Sequence, residues 1–272
     1  MKRTARNVAS VLSLALLSCA SASAWAVEPL DNFSVRIGGY LTTFDTDVRA
    51  DGDTSNGTEV NLDTDLGLDE EDAIGYVGVT WRPWERHELG LVYHGNDTSG
   101  SKVLERDINF DGEVYEASAT VNADFSMDAY EAYYVWWAAS QENWALGPRL
   151  GLAWYRADLT LAAVGAGGGG VSVSGDTSVD LPAPTIGGSW RWTPAEDWRI
   201  SADVGYFSTE FNDIDASVTF GRAGVEWFPW DQFGFSLDYT ISNIKADANK
   251  TDFNGHFDFV DSGIRLGGVY RF

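Results

Sequence analysis

The chain has 272 residues and is strongly acidic, with 41 Asp and Glu against 18 Lys and Arg, a formal net charge of −23. So acidic a surface excludes nucleic-acid binding by phosphate neutralisation, and no apolar run after the N-terminal segment reaches the ~20 residues a transmembrane helix needs. Aromatics at 14%, 29 glycines and only 7 prolines suit a closed sheet, in which only every second residue has to be apolar.

The first segment reads as a secretory signal. Lys2, Arg3 and Arg6 precede an apolar stretch from Val8 to Leu17, and Ala24-Trp25-Ala26 supplies a cleavage site before Val27. Residues 1–26 are therefore expected to be removed, leaving 27–272 as one domain. The alternative is cleavage before Cys19 with lipid attached there. Leu16-Leu17-Ser18-Cys19 fits that pattern less well than the downstream site fits a signal. Cleavage after Ala26 removes the only cysteine, so no disulfide is expected. It also removes three bases.

Next come ten stretches with a period of two: about 33–44, 73–82, 87–96, 126–138, 144–158, 179–193, 198–210, 215–228, 233–245 and 259–272. In the first, Val35, Ile37, Gly39 and Leu41 share one face, and Arg36, Gly38, Tyr40 and Thr42 share the other. The third sets Leu89, Leu91 and Tyr93 against Glu88, Gly90 and His94. The ninth sets Phe233, Phe235, Leu237, Tyr239 and Ile241 against Ser236, Asp238 and Thr240. Pro182 and Pro184 interrupt the sixth stretch and predict a bulge or a position above any bilayer.

Tryptophans bracket the short turns near 82–86, 139–143, 193–197 and 229–232, with Trp154 standing apart. Indole prefers a membrane–water interface, so these clusters read as one aromatic girdle. The connections on the other side are longer, about 45–72, 98–125, 159–178 and 246–258, with a short one near 211–214. A secreted β-sandwich also alternates, but accounts neither for tryptophan at every second turn nor for the last residues.

Those last residues, Arg265-Leu266-Gly267-Gly268-Val269-Tyr270-Arg271-Phe272, put Leu266, Gly268, Tyr270 and Phe272 on one face. They resemble the terminal strand of bacterial outer-membrane β-barrels, where a final Phe with an aromatic two residues earlier is the assembly signal. The resemblance extends over about 33–272. In size and look the chain is similar to small barrels such as OmpW and OmpX, with more strands. It implies an all-β fold, a transmembrane antiparallel up-and-down β-barrel of about ten strands, eight or twelve being the alternatives. It also implies residence in the cell outer membrane with both termini periplasmic. The partners implied are outer-membrane lipid and lipopolysaccharide, the barrel-assembly machinery and periplasmic chaperones, with Tyr270 and Phe272 as the assembly signal. No cofactor is expected.

Reflecting inward charges through the turns yields a lumen ladder, Asp203–Arg222–Asp238–Arg265, and a separate rung, Glu131–Arg149. Opposite charges across a strand pair attract, and arginine can bridge two carboxylates. Arg36, Arg82, Arg191, Arg199, Glu226 and Arg271 add charge near the floor. Such a ladder either fills a plugged barrel or forms the constriction of a narrow pore for small solutes or ions. The first loop is rich in carboxylates. Asp51 and Asp53 start like an EF-hand, but Asn56 and Leu62 stand where that loop needs Gly and Glu, so only loose divalent-cation binding remains. Surface binding of a partner through these acidic loops is a second role. A rim hydrolase is a third: His94 points inward beside Asn96 and Asp97, and His256 and Asp258 have the spacing to share a face. That pair faintly resembles the His/Asp site of ten-stranded outer-membrane proteases, though the order differs.

Overall fold

The computed structural model describes residues 28–50, 57–68, 71–110, 113–164, 171–211, 214–250 and 253–272. The signal segment, the Cys19 site and the Asp51/Asp53 pair lie outside the described residues.

Ten long strands form the wall: β1 (Phe33–Ala50), β3 (Glu71–Trp84), β4 (His87–Val103), β7 (Thr120–Trp136), β9 (Trp144–Val164), β10 (Val171–Ala195), β11 (Trp198–Phe211), β12 (Ile214–Trp227), β13 (Phe233–Lys250) and β14 (Phe253–Arg271). Short strands decorate the connections: β2 (Val60–Asn61), β5 (Ile108–Phe110), β6 (Glu113–Tyr115) and β8 (Ala139–Ser140). Each long strand pairs antiparallel with its chain neighbour. β1 also pairs with β14 from Ser34↔Arg271 to Ala50↔Gly255, which closes the barrel. Closure leaves the lower wall without an edge.

The period of two sorts the side chains. Ile37, Leu41, Leu91, Ile186 and Leu266 are exposed on the outside, while Tyr40, Thr42, Glu88, His94 and Asp238 are buried inside. On β9 the outward row runs from Trp144 to Trp154. Ten residues at ~3.3 Å are about 33 Å of strand, or about 25 Å of height at the usual tilt, the thickness of an apolar membrane band. Trp81, Trp84, Trp136, Trp198, Trp227 and Trp230 are exposed at the turn end, as a girdle requires.

Two expectations need correction. Residues 45–50, 71–72, 98–103, 120–125, 159–164, 171–178, 246–250 and 253–258 are strand rather than loop, because the long strands continue their ladders beyond the apolar band. There is no bulge at Pro182 or Pro184, which pair in register with Trp154 and Leu152. Pairing of β10 with β11 begins only at Ile186↔Tyr206. Residues two apart offer their N–H positions to the same neighbour, so both prolines can face the side that β11 has left.

A like departure occurs between β3 and β4 above Tyr76↔His94. The wall is therefore continuous below and divided above into two half-walls, β4-β7-β9-β10 and β11-β12-β13-β14-β1-β3. Between them the connection 57–68 and the described parts of 104–119 fold inward. Val60, Leu62, Leu66, Leu68, Leu104, Ile108 and Tyr115 pack on Val121, Ala123, Leu159 and Leu161 of β7 and β9. Under this lid lies a second apolar layer around Tyr40, Phe44, Ile74, Tyr155, Ile244 and Phe259.

Candidate functional site

The lower lumen is a charged layer. Inward alternation brings arginines and carboxylates from eight strands into the lower lumen, where burial would be costly for any of them alone. Asp203 of β11 is its hub. It accepts from Arg191 of β10 at 2.9 Å and from Arg222 of β12 at 2.5 and 2.8 Å. Arg222 also lies 3.5 Å from Asp238, and Arg191 lies 3.9 Å from Glu88. Glu88 accepts from the Trp137 indole at 3.1 Å. A second hub, Glu226, accepts from Arg36 at 2.6 and 2.9 Å and from Arg199 at 2.6 Å. Arg149 of β9 donates to Glu131 and lies over the Tyr133 and Phe220 rings.

The ladder residues sit as follows. Asp203 and Arg222 are direct register partners. Arg222 faces Thr240, one rung from Asp238, and reaches that carboxylate diagonally. Asp238 and Arg265 are register partners, but the Arg265 guanidinium rests 4.6 Å from the Tyr40 ring centre and 5.6 Å from that of Tyr76, and its Nε has no hydrogen-bond partner. Stacking on rings thus replaces the expected last rung. Glu131 faces Ala153 and Arg149 faces Val135. Their expected direct pairing is off by two rungs, because the turn after β7 is centred near 142 rather than 140. The length of arginine bridges the difference.

Sequence reasoning missed the floor. Residues 29–32 fold under the barrel, and arginines from three strands hold them. Arg199 donates to Asp31 Oδ2 at 2.7 Å, and Arg271 approaches its other oxygen at 3.6 Å. Arg82 donates to Asp31 O, Leu30 O and Asn32 Oδ1 at 2.9–3.3 Å. Leu30 is buried with Val135, Trp137 and Ala145. The only available signal was an excess of inward arginine near the floor. Above the charged layer, Asp261 accepts from Tyr40 and, at 2.6 Å, from Thr42. Two cavities of about 30 Å³ each adjoin at Val92, Glu131, Phe220 and Arg265, room for a water or two apiece.

The histidines fall elsewhere. His94 is buried edge-on to Tyr40, with its Nδ1 unpartnered. His256 and Asp258 share the outer face, but His256 Nδ1 lies 2.6 Å from Asp247 and Asp258 is held by Lys245, both on β13. Cross-strand partners have displaced the expected i, i+2 pair. At the C-terminus, the Tyr270 and Phe272 rings lie edge-on at 4.8 Å on the exposed face, and Phe272 N donates to Phe33 O at 2.9 Å.

Among solved structures, the chain is similar to the outer membrane protease OmpT of Escherichia coli, with 11% identity, 89% of this chain and 97% of that chain covered, and a TM-score of 0.60. At that identity the likeness is one of fold. The outer membrane protein OprG of Pseudomonas aeruginosa matches at 11% identity over 92% of this chain and all of its own, with a TM-score of 0.36. No curated protein matches the sequence. Residues 12–272 match the family model described as outer membrane protein beta-barrel domain, and the chain belongs to that family of the bacterial outer membrane.

Proposed function

We propose that this outer-membrane barrel is non-catalytic and sealed, its lumen closed at rest by the ion-pair layer rather than held open as a pore. The observation that supports this most directly is the pair of hubs. Asp203 and Glu226 each hold two arginines from different strands, and the two hubs stand four residues apart along the β11–β12 ladder, so four guanidiniums fill the lower lumen at two successive levels. A ten-strand barrel has little room left once such side chains meet. The apolar layer and lid above, and residues 29–32 below, give the same closure twice more. A non-catalytic role draws support from His94, sealed beneath apolar side chains, and from His256, tied to Asp247 on an outer strand face. In this reading the signal segment is removed, both termini face the periplasm, and lipid and lipopolysaccharide surround the outside. The acidic loops face outward, open to a cationic partner or to loosely held divalent ions. Tyr270 and Phe272 serve recognition by the assembly machinery.

Single-channel recording in a planar bilayer tests the seal. The wild-type protein is expected to be silent, and Arg222→Ala, which vacates the space between Asp203 and Asp238, to show small steady conductance. Steady wild-type conductance would overturn the sealed reading in favour of a narrow pore.

A further inference from the structure

One buried cation of the lumen has no anion. Among the described residues, Arg36, Arg149, Arg191, Arg199 and Arg222 each form an ion pair with a lumen carboxylate. Arg265 does not. It is buried, rests on the Tyr40 and Tyr76 rings, and keeps its Nε unpartnered. The carboxylates around it are engaged elsewhere. Asp238, its register partner, lies 3.5 Å from Arg222. Asp261, further up the same strand, accepts from Tyr40 and Thr42. Glu131 is held by Arg149. Aromatic faces offset only part of the cost of burying a guanidinium.

Arg265 reaches into the upper of the two lumen cavities, together with His94, Thr185, Thr240, Ser242 and Asp261. Two more unpartnered nitrogens border this space. His94 Nδ1 is one and Arg149 Nη1 is the other, and both side chains are more than nine-tenths buried. Arg149 approaches from the side of Thr185. A Cβ at Gly151 would lie 2.8 Å from Arg149 Nη1 and 2.6 Å from Thr185 Oγ1. Ala129, Tyr155 and Val218 of the apolar layer close the top. The cavity of about 30 Å³ has about twice the room that one water needs, and too little for a phosphate or an organic acid.

A small, closed space with an unpaired guanidinium and a surplus of donors matches a monatomic anion. We propose that the upper cavity holds a single halide ion, chloride under ordinary conditions. Arg265 Nε, the Nδ1–H tautomer of His94 and the hydroxyls of Thr185 and Thr240 donate to it, and Arg149 adds positive charge from the side. The two carboxylates in the lining, Asp261 and Glu131, are turned to donors of their own. A cation would meet the bare Arg265 charge. Water would satisfy the hydrogen bonds and leave that charge uncompensated. The site stands whether or not the lumen conducts.

The full chain is refolded separately in sodium isethionate, chloride and bromide at one ionic strength, so that the ion is present when the barrel closes. Isethionate is too large for the cavity and sets the baseline. The apparent unfolding temperature is expected to rise saturably with chloride or bromide, by about 3 °C or more at saturation. Changing Thr185→Val and Thr240→Val together removes two hydroxyls at nearly constant shape, and is expected to raise the half-saturating concentration at least about fivefold. In Arg265→Met the saturable rise is expected to vanish. Crystals grown from bromide are expected to show a bromine anomalous peak beside Arg265 Nε. No saturable rise in the wild-type chain, an equal rise in Arg265→Met, or no bromide peak in the cavity would each overturn the proposal in favour of water and a general salt effect. Should Arg265→Met fail to fold, the double threonine variant and the bromide peak decide.

Discussion

At the scale of single residues, the lumen is governed by the cost of burying charge. Asp203 has two arginine partners, Arg191 and Arg222. Replacing it by Ala leaves both guanidiniums buried with one partner fewer, a change that typically costs about 3–5 kcal/mol. Urea unfolding of the refolded barrel should show a loss of that size. Asp258→Ala, which removes an exposed pair with Lys245, should lose less than about 1 kcal/mol. Glycine matters where a ring needs its space. A Cβ at Gly90 would meet the Tyr133 ring within 2.0 Å, and that ring is held by a 3.1 Å hydrogen bond to Thr80 and by the Arg149 guanidinium. Gly90→Ala should therefore cost about 1–3 kcal/mol by overpacking, and Tyr133→Ala in the same chain should relieve part of it. Additive losses in the double variant would refute the clash.

At the scale of elements, the short segment below the barrel has an effect out of proportion to its length. Its Asp31 takes the charge of Arg199 and Arg271, while the Asp31 and Leu30 carbonyls and the Asn32 side chain accept from Arg82. Replacing residues 29–31 by glycine should leave the ladder intact and loosen the floor. The expected readout is transient conductance in combination with Arg222→Ala that exceeds either change alone, and no gain in the pair would show that the segment is not a seal. The strands themselves were readable because period-two alternation is local. Register was not. Asp203 and Arg222 could be matched because the β11–β12 ladder runs without slip to Phe211↔Ile214. Glu131 and Arg149 could not, because Ala139 and Ser140 pair with Leu146 and Ala145 as β8 and so carry the turn onward. The Arg265 stack on Tyr40 and Tyr76 depends on side chains from three strands, and no single hairpin encodes it. The Asp31 clasp depends on residues 168 and 240 positions away in the chain, beyond any local pattern.

At the scale of the whole molecule, the barrel has a closed lower storey and a divided upper one, and the difference should be measurable as local stability. Below Tyr76↔His94 and Ile186↔Tyr206 every strand has two partners. Above those rungs β4 is paired only to β7, and β10 only to β9, so each offers one side of its backbone to the split. The loop core compensates on the inside, since Leu62, Leu66 and Leu68 cover the inner faces of β7 and β9. It does not restore a ladder along either divided edge. Amide exchange reports such differences because it proceeds through local opening. In a lipid bilayer, amides of β4 at 95–103 and of β10 at 171–181 should exchange at least about tenfold faster than those at 88–94 and 186–192. The upper parts of β12, β13 and β14 serve as the control. They lie equally far from the apolar band but keep partners on both sides, from Val218↔Ile244 and Ile244↔Phe259 upward. If they exchange as fast as the divided edges, distance from the membrane governs the mobility and the splits do not. If they stay protected, the two splits are the places where this barrel can open.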